Sequence, residues 1–521
     1  MAEITRLFDL LPYYEQSFRP KPDVLSGKEN GEWIRYSISQ YRETVDSVSY
    51  ALLAAGVVKG DKIATIMPSR PEWNFIDMGI MQTGAIHVPI YPTLSESDYG
   101  YILKHAEVKF LFISGKEIFR KVEPILSDVP ALQGVFAVKE TPGTKSFSEF
   151  VESGRAAVDR PLLDASMEKV KSDDLATLIY TSGTTGNPKG VMLSHSNIIS
   201  NFKDVAHIPP VGEQGRALSY LPLCHVYERM LNYLYQYLGI SIYYAESMAT
   251  IGDNMREVKP DILTTVPRLL EKIYDRIMGT GRKLKGIRKF IFFRAISLGL
   301  KYEVDGGNNW YYNVRLKIYS KLVFSKWREA VGGNMKVIVS GGAALQPRLA
   351  RVFWAAGIPV LEGYGLTETS PVIAVNDFNE NGVCIGTVGR PLKNVEVAIA
   401  SDGEILCKGP GVMMGYYKEP QLTAEAIDAE GWFHTGDIGK IERRGHLRIT
   451  GRKKEIFKTS LGKYISPELI ENKFKESSFI DTLMVIGENQ KFAAALVVPD
   501  FPHLRSWCAI KGIEYTTDSE M

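Results

Sequence analysis

Apolar positions along this chain change their period repeatedly, and each change marks a new element. Residues Arg42 to Ala55 show helical spacing, and Gly60-Asp61 then turns the chain into the apolar run Lys62–Met67, read as a strand. A helix is predicted from about Pro71 to Thr83, then a strand over Ala85–Val88 ending at Pro89. Ser95 is a helix N-cap candidate, and Lys109–Ile113 is another strand. Leu175–Tyr180 and Gly190–Leu193 read as two more buried strands. Strands that alternate with helices imply parallel sheets covered on both faces. The rhythm returns at strand Met335–Val339, a helix near Gln346–Ala356 and strand Pro359–Leu361. From about Val383 to Thr450 the elements become short strands with tight turns, with hairpins expected at Asp402-Gly403 and Arg444-Gly445. Beyond Gly451 come a helix from about Pro467 to Lys475 and strands Leu483–Ile486 and Phe492–Val498.

The fold class is therefore α/β. A large domain, 1–450, holds several subdomains with parallel-type sheets flanked by helices and a β-rich subdomain at about 383–450. A small α+β domain, 451–521, follows a boundary at Gly451.

Bulk properties narrow the class. A chain of 521 residues is too long for one core. Its 45% hydrophobic and 23% charged content suits an ordinary globular protein rather than a disordered one. Cys224, Cys384, Cys407 and Cys508 are widely spaced, which disfavours a zinc site or a disulfide framework and fits a reducing compartment. The N-terminus lacks a signal-peptide pattern, and no apolar run reaches the roughly 18 residues of a spanning helix, so the expected location is cytoplasmic. A net charge of +2 argues neither for nor against acidic partners, and no nucleic-acid partner is expected. Residues 282–328 differ, since basic side chains outnumber acidic ones several-fold and interleave with Ile291-Phe-Phe293, Trp310-Tyr-Tyr312 and Trp327. Two readings stand: a peripheral patch at the inner membrane surface, or amphipathic helices packed on the domain with basic faces in solvent. The second is preferred. Oligomeric state stays open, a homodimer included.

Residues 180–190, Tyr-Thr-Ser-Gly-Thr-Thr-Gly-Asn-Pro-Lys-Gly, carry the strongest chemical signal. Gly183 and Gly186 let backbone N–H groups face an anion, and Thr181, Ser182, Thr184 and Thr185 add hydroxyl donors. Lys189 adds a point charge suited to phosphate. Placed between two apolar strands, this is a nucleotide-phosphate cradle rather than a polar linker. It is not a common P-loop, which needs Gly-Lys followed by Ser or Thr.

Four further motifs add candidates. In Gly363-Tyr-Gly-Leu-Thr-Glu-Thr369, Tyr364 can lie on a purine and Glu368 can ligate Mg²⁺, although a Thr-Glu pair alone is more often a helix cap. Gly341-Gly342-Ala343 permits close approach of a flat ligand, or is merely a tight turn. Asp437, in Gly431-Trp-Phe-His-Thr-Gly-Asp437, can accept two hydroxyls at once, as a ribose would offer, or serve as a turn former. His225, in Leu221-Pro-Leu-Cys-His225, is by itself more often a satisfied structural histidine.

Together these motifs resemble the adenylate-forming superfamily, and the stretch from Gly431 to Glu471 resembles its long-chain fatty acyl-CoA synthetases. The resemblance spans most of the chain. It implies an ATP-dependent ligation of a fatty acid to coenzyme A through an acyl-adenylate, with Mg²⁺. It assigns the phosphate loop, with Thr184 near the metal, gives adenine and acyl-carbonyl contacts to Gly341, Gly342 and Ala343, and has Tyr364 stack on adenine between the nucleotide-binding Gly363 and Gly365. Thr367 would touch the α-phosphate and Glu368 would hold the metal. Asp437 would hold the ribose, Arg452 would be a second ribose or phosphate ligand, and His225 would sit near the reacting carboxylate. It implies a mobile C-terminal domain hinged at Gly451, where many relatives have an acid. Lys454, Lys458 and Tyr464 would then contact ATP, adenylate or CoA. Arg229 replaces the aromatic gate of some relatives, so that gating device is not expected. No late lysine motif follows Gly462, so the chain is expected to be a truncated form. Two alternatives remain: an acyl-AMP ligase serving a carrier protein, and a non-catalytic acyl or nucleotide sensor.

Overall fold

The computed structural model describes residues 3–181, 186–477 and 479–521. Lys62–Ile66 lies between Ile86–Ile90 and Val108–Ile113, all parallel, with Ile63 opposite both His87 and Phe110. Parallel neighbours need a crossover, and the helices Pro71–Gln82 and Glu96–His105 supply it. Ser95 caps the second helix, its hydroxyl accepting from the Asp98 N–H at 3.2 Å. Every residue of Ile86–Ile90 is buried, so this strand reads as an almost unbroken apolar run. Pro89, expected to end the strand, instead lies within it opposite Thr65. Pairing toward Leu175–Thr181 is confined to His87 and Thr177, so the missing N–H costs the sheet little there. The earlier helix, Ile38–Ala54, begins before Arg42 because Ser37 caps it.

The first sheet runs Gly415–Tyr416, Lys189–Ser194, Leu175–Thr181, Ile86–Ile90, Lys62–Ile66, Val108–Ile113, Gly134–Ala137 and Lys145–Ser146. A second sheet sets the strands Val360–Gly365, Val337–Ser340, Ile262–Thr265, Arg216–Ser219, Ser241–Tyr244 and Leu25–Glu29 parallel to one another. Its antiparallel edge, Glu32–Tyr36, is joined by the turn Asn30-Gly31, both residues at positive φ, a hairpin turn the pattern reading passed over. A third, antiparallel sheet orders Glu396–Ile399, Glu404–Lys408, Phe433–Ile441 and Leu447–Arg452. Its turns fall at the two expected glycine dipeptides. One apolar cluster joins side chains from all three sheets, so the sheets share a core.

Gly451 lies inside Leu447–Arg452, so the strand runs through the expected boundary. A Cβ there would stand 2.4 Å from Ser466 Oγ, which is why the close approach needs glycine. Past it come the helix Pro467–Phe474 and the hairpin Ile480–Ile486 with Ala494–Pro499. Residues 282–328 form helices Gly286–Gly299 and Trp310–Tyr319, the π-turn Ser320–Phe324 and the start of Ser325–Ala330. Their outward faces are not simply basic, because Ile287, Phe290, Trp310, Tyr311, Val314, Ile318 and Leu322 are exposed among the cations. Among the described residues no helix is long and apolar enough to cross a membrane, and the four cysteines are free.

Candidate active site

The strands that flank the expected phosphate loop, Leu175–Thr181 and Lys189–Ser194, pair antiparallel, with Thr181 opposite Lys189. Ser182, Gly183, Thr184 and Thr185 lie outside the described residues. Gly186 has φ +147° with open space where a Cβ would point, so backbone conformation rather than crowding favours glycine. Lys189 Nζ lies 5.1 Å from the centre of the Tyr416 ring, within cation–π reach. The Tyr416 hydroxyl donates to Glu368 Oε1 at 2.9 Å. One tyrosine thus links the cation of the first motif to the acid of the second. Nothing local marked Tyr416, because its place depends on the pairing of Gly415–Tyr416 with Met192 and Val191.

Val360–Gly365 delivers Tyr364 to the same region, and the turn Thr367–Thr369 follows. The Tyr364 hydroxyl donates to Asp437 Oδ2 at 2.6 Å, while Arg452 Nε lies 3.0 Å from Asp437 Oδ1. Asp437 and Arg452 face each other across neighbouring strands, a register that fixes the ion pair. Burial pushes the Asp437 carboxyl above its ordinary range, while the Tyr364 hydroxyl and Arg452 pull it back. Gly365 has a structural reason as well, since a Cβ would fall 1.9 Å from Pro371 O.

Several of these groups line a cavity of about 320 Å³, while Lys189, Tyr416 and Asp437 stand outside its lining, Tyr416 against Glu368 and Asp437 against Tyr364 and Arg452. Thr181, Gly341, Gly342, Gly363, Tyr364, Gly365, Thr367, Glu368 and Arg452 line its polar side. Val205, Ile208, Met230, Leu231 and Leu234 line the other. A Cβ on Gly341 would lie 3.2 Å from the Tyr227 ring, so the glycine lets that ring pack close. Helix Val226–Tyr237 supplies much of the apolar wall, and its i, i+4 spacing of Val226, Met230 and Leu234 was the signal that could have found it.

His225 caps this helix, its Nδ1 accepting from the Tyr227 N–H at 3.1 Å. The residue is exposed and lines the cavity, and desolvation by the surrounding protein holds its pKa below the ordinary histidine value. Neutral imidazole with Nδ1 accepting carries its proton on Nε2, leaving a donor for a cavity ligand. Arg229, one turn on, points away into the core. It pairs with Asp77 at 2.5 Å, donates to Thr177 Oγ1 at 2.6 Å and to the Tyr233 hydroxyl at 2.8 Å.

Other expected residues are not at this cavity. Ala343 lines a separate cleft of about 1140 Å³ between helix Pro267–Lys283 and the C-terminal residues. The turn at 341–344 therefore stands between the two spaces. Lys458 and Tyr464 are exposed partners in a two-stranded hairpin, and Lys454 is exposed, none of them lining the cavity. All three follow Arg452 in the chain, past the end of the strand Leu447–Arg452.

The donors can be tested against Mg²⁺. Among the described residues no cluster of three metal-binding side chains exists, and Glu368 is the carboxylate on the polar wall. A single carboxylate suits Mg²⁺, which keeps waters and substrate phosphates as its other ligands.

A family model described as AMP-binding enzyme matches residues 15–417. The chain is 34% identical to long-chain-fatty-acid–CoA ligase FadD15 of Mycobacterium bovis over 481 residues, 92% of this chain and 79% of that protein. It is 33% identical to human long-chain-fatty-acid–CoA ligase 1 over 529 residues, 93% and 72% of the two chains. Its fold matches the crystal structure of the anthranilate CoA ligase AuaEII in complex with anthranoyl-AMP, with a TM-score of 0.74 at 19% identity, covering 97% of this chain and 90% of that one.

Proposed function

The chain belongs to the AMP-binding enzyme family, and on that premise we propose that it is an ATP-dependent ligase that joins a long-chain fatty acid to coenzyme A. A carboxylate oxygen of the fatty acid bonds to the α-phosphorus of ATP as the bond to pyrophosphate breaks. The thiol sulfur of coenzyme A then bonds to the acyl carbon, and AMP leaves. One convergence supports this function: Thr181, Tyr364, Thr367, Glu368 and His225 face one cavity whose opposite wall is apolar.

Both reactants of the first step are anions, so the site must offset their repulsion. Lys189 and the backbone of its loop bring positive charge to the phosphates. Glu368 would hold Mg²⁺, which supplies charge neutralisation there, and Thr184 is a further candidate. Thr367 donates to the α-phosphate. Gly341, Gly342 and Gly363 let the adenine lie against Tyr364, and the Asp437–Arg452 pair takes the ribose hydroxyls. His225 offers its Nε2 proton to the fatty carboxylate, and the wall from Val205 to Leu234 receives the start of the acyl chain.

Coenzyme A carries phosphates at its nucleotide end, and the neighbouring cleft presents Arg268, Lys272, Arg276, Arg282, Arg348 and Lys475. We place coenzyme A there, with its thiol crossing the 341–344 turn to the acyl carbon. In this reading residues 1–450 form the adenylating domain, and 451–521 turn about Gly451 between the steps. Lys454, Lys458 and Tyr464 would reach the site only after that turn.

Pyrophosphate release with carboxylic acids of increasing length, with and without coenzyme A, tests the function. Release that rises with chain length, together with acyl-CoA when coenzyme A is added, is expected. Release without any acyl-CoA would favour transfer to a carrier protein, and ATP binding without AMP would favour a sensor.

A further inference from the structure

Twelve lysines and arginines and two acids lie between residues 282 and 328, a surplus of ten in a chain whose whole surplus is two. Helix Gly286–Gly299 buries Phe292, Ala295, Ile296 and Leu298 but turns Ile287 and Phe290 outward, at 68% and 56% exposure. Trp310–Tyr319 packs against it, the Tyr312 hydroxyl donating to Leu298 O at 2.9 Å. Tyr312 is the buried residue of that helix, and Trp310 stands 76% exposed. The π-turn Ser320–Phe324 sends Val323 and Phe324 into the core and leaves Leu322 outside. Trp310, Val314 and Ile318 are spaced four apart along one side of helix Trp310–Tyr319, and Leu322 continues the exposed apolar spacing into the π-turn.

Cations border the stripe. Arg294 lies over the Phe290 ring at 5.1 Å and Arg315 over Tyr311 at 5.5 Å, while Lys317 and Lys321 are exposed beside it. A contiguous apolar patch rimmed by charge marks an interaction surface. Long apolar tips alternating with lysine and arginine match an anionic lipid interface, which offers phosphate to the cations and acyl chains to the tips.

We propose that this helical hairpin seats the protein on an anionic bilayer. Trp310, Ile318 and Leu322 enter the acyl boundary, and Arg315, Lys317 and Lys321 pair with headgroup phosphates. The ligase then meets fatty acid where its long apolar chain partitions.

Flotation of the purified chain with phosphatidylcholine vesicles, with or without phosphatidylglycerol, is the test. Binding is expected to the anionic vesicles and to fall as salt is raised. The double variant Lys317→Gln/Lys321→Gln should lower partition by about 30-fold, and Trp310→Ser/Ile318→Ser by roughly 10-fold or more. Both variants alter exposed side chains, so thermal unfolding and pyrophosphate release with a water-soluble acid should stay at wild-type values. Absence of binding to anionic vesicles would overturn the proposal. So would binding that neither variant weakens, or a dimer in solution that Trp310→Ser abolishes, which would mean a second copy covers the patch. Flotation needs no ATP, so its failure leaves the ligase function standing, and an inert ligase leaves the lipid surface standing.

Discussion

Asp437 holds two partners at once, the Tyr364 hydroxyl and the Arg452 guanidinium, while almost wholly buried. In the proposed function this buried carboxylate would exchange those partners for ribose hydroxyls. Asp437→Asn keeps the shape and removes the charge. The expected outcome is a KM for ATP in pyrophosphate release raised about 10–100-fold, with kcat changed less, the range for hydrogen bonds to a charged group. An unchanged KM would remove Asp437 from the nucleotide site. Asp437, Tyr364 and Glu368 were legible as single residues because each sits in a short motif whose chemistry is local. Tyr416 was not, since its bond to Glu368 requires two strands distant in sequence to pair.

Helix Val226–Tyr237 works on two faces. Val226, Met230 and Leu234 line the cavity, while Arg229 and Tyr233 bind Asp77 on the other side. Asp77 also lies 2.6 Å from His87 Nδ1, so Pro71–Gln82 and Ile86–Ile90 share one polar cluster with this helix. Every member is buried, and burial costs are met by mutual pairing. Arg229→Met should strand the Asp77 carboxylate and cost about 3–5 kcal/mol, read from the urea midpoint. An unaltered midpoint would mean the cluster does not anchor the helix. Helix Val226–Tyr237 was passed over although Val226, Met230 and Leu234 recur every four residues, whereas helix Pro71–Gln82 and the strand Ile86–Ile90 were legible because their periods are local. The partner of Arg229 was not, because it lies more than a hundred residues away in sequence.

Two parallel-type sheets and a smaller antiparallel one each bring one part of the chemistry. The first sheet carries Thr181 and Lys189, which flank the proposed phosphate loop, the second carries Tyr364, and the third carries Asp437 and Arg452. The alternating pattern was enough to foresee the layers, but sheet order and the cavity between them arise from packing that no window of sequence contains. The domain boundary expected at Gly451 met a continuous strand, because the chain needs that strand to bring Arg452 opposite Asp437. The most direct measurement of the whole arrangement follows an oxygen atom. With a fatty acid labelled by oxygen-18 in its carboxylate, and ATP and coenzyme A supplied, attack on the α-phosphorus predicts that one labelled oxygen leaves in AMP with each acyl-CoA formed. Label found instead in inorganic phosphate, with ADP as the nucleotide product, would contradict it.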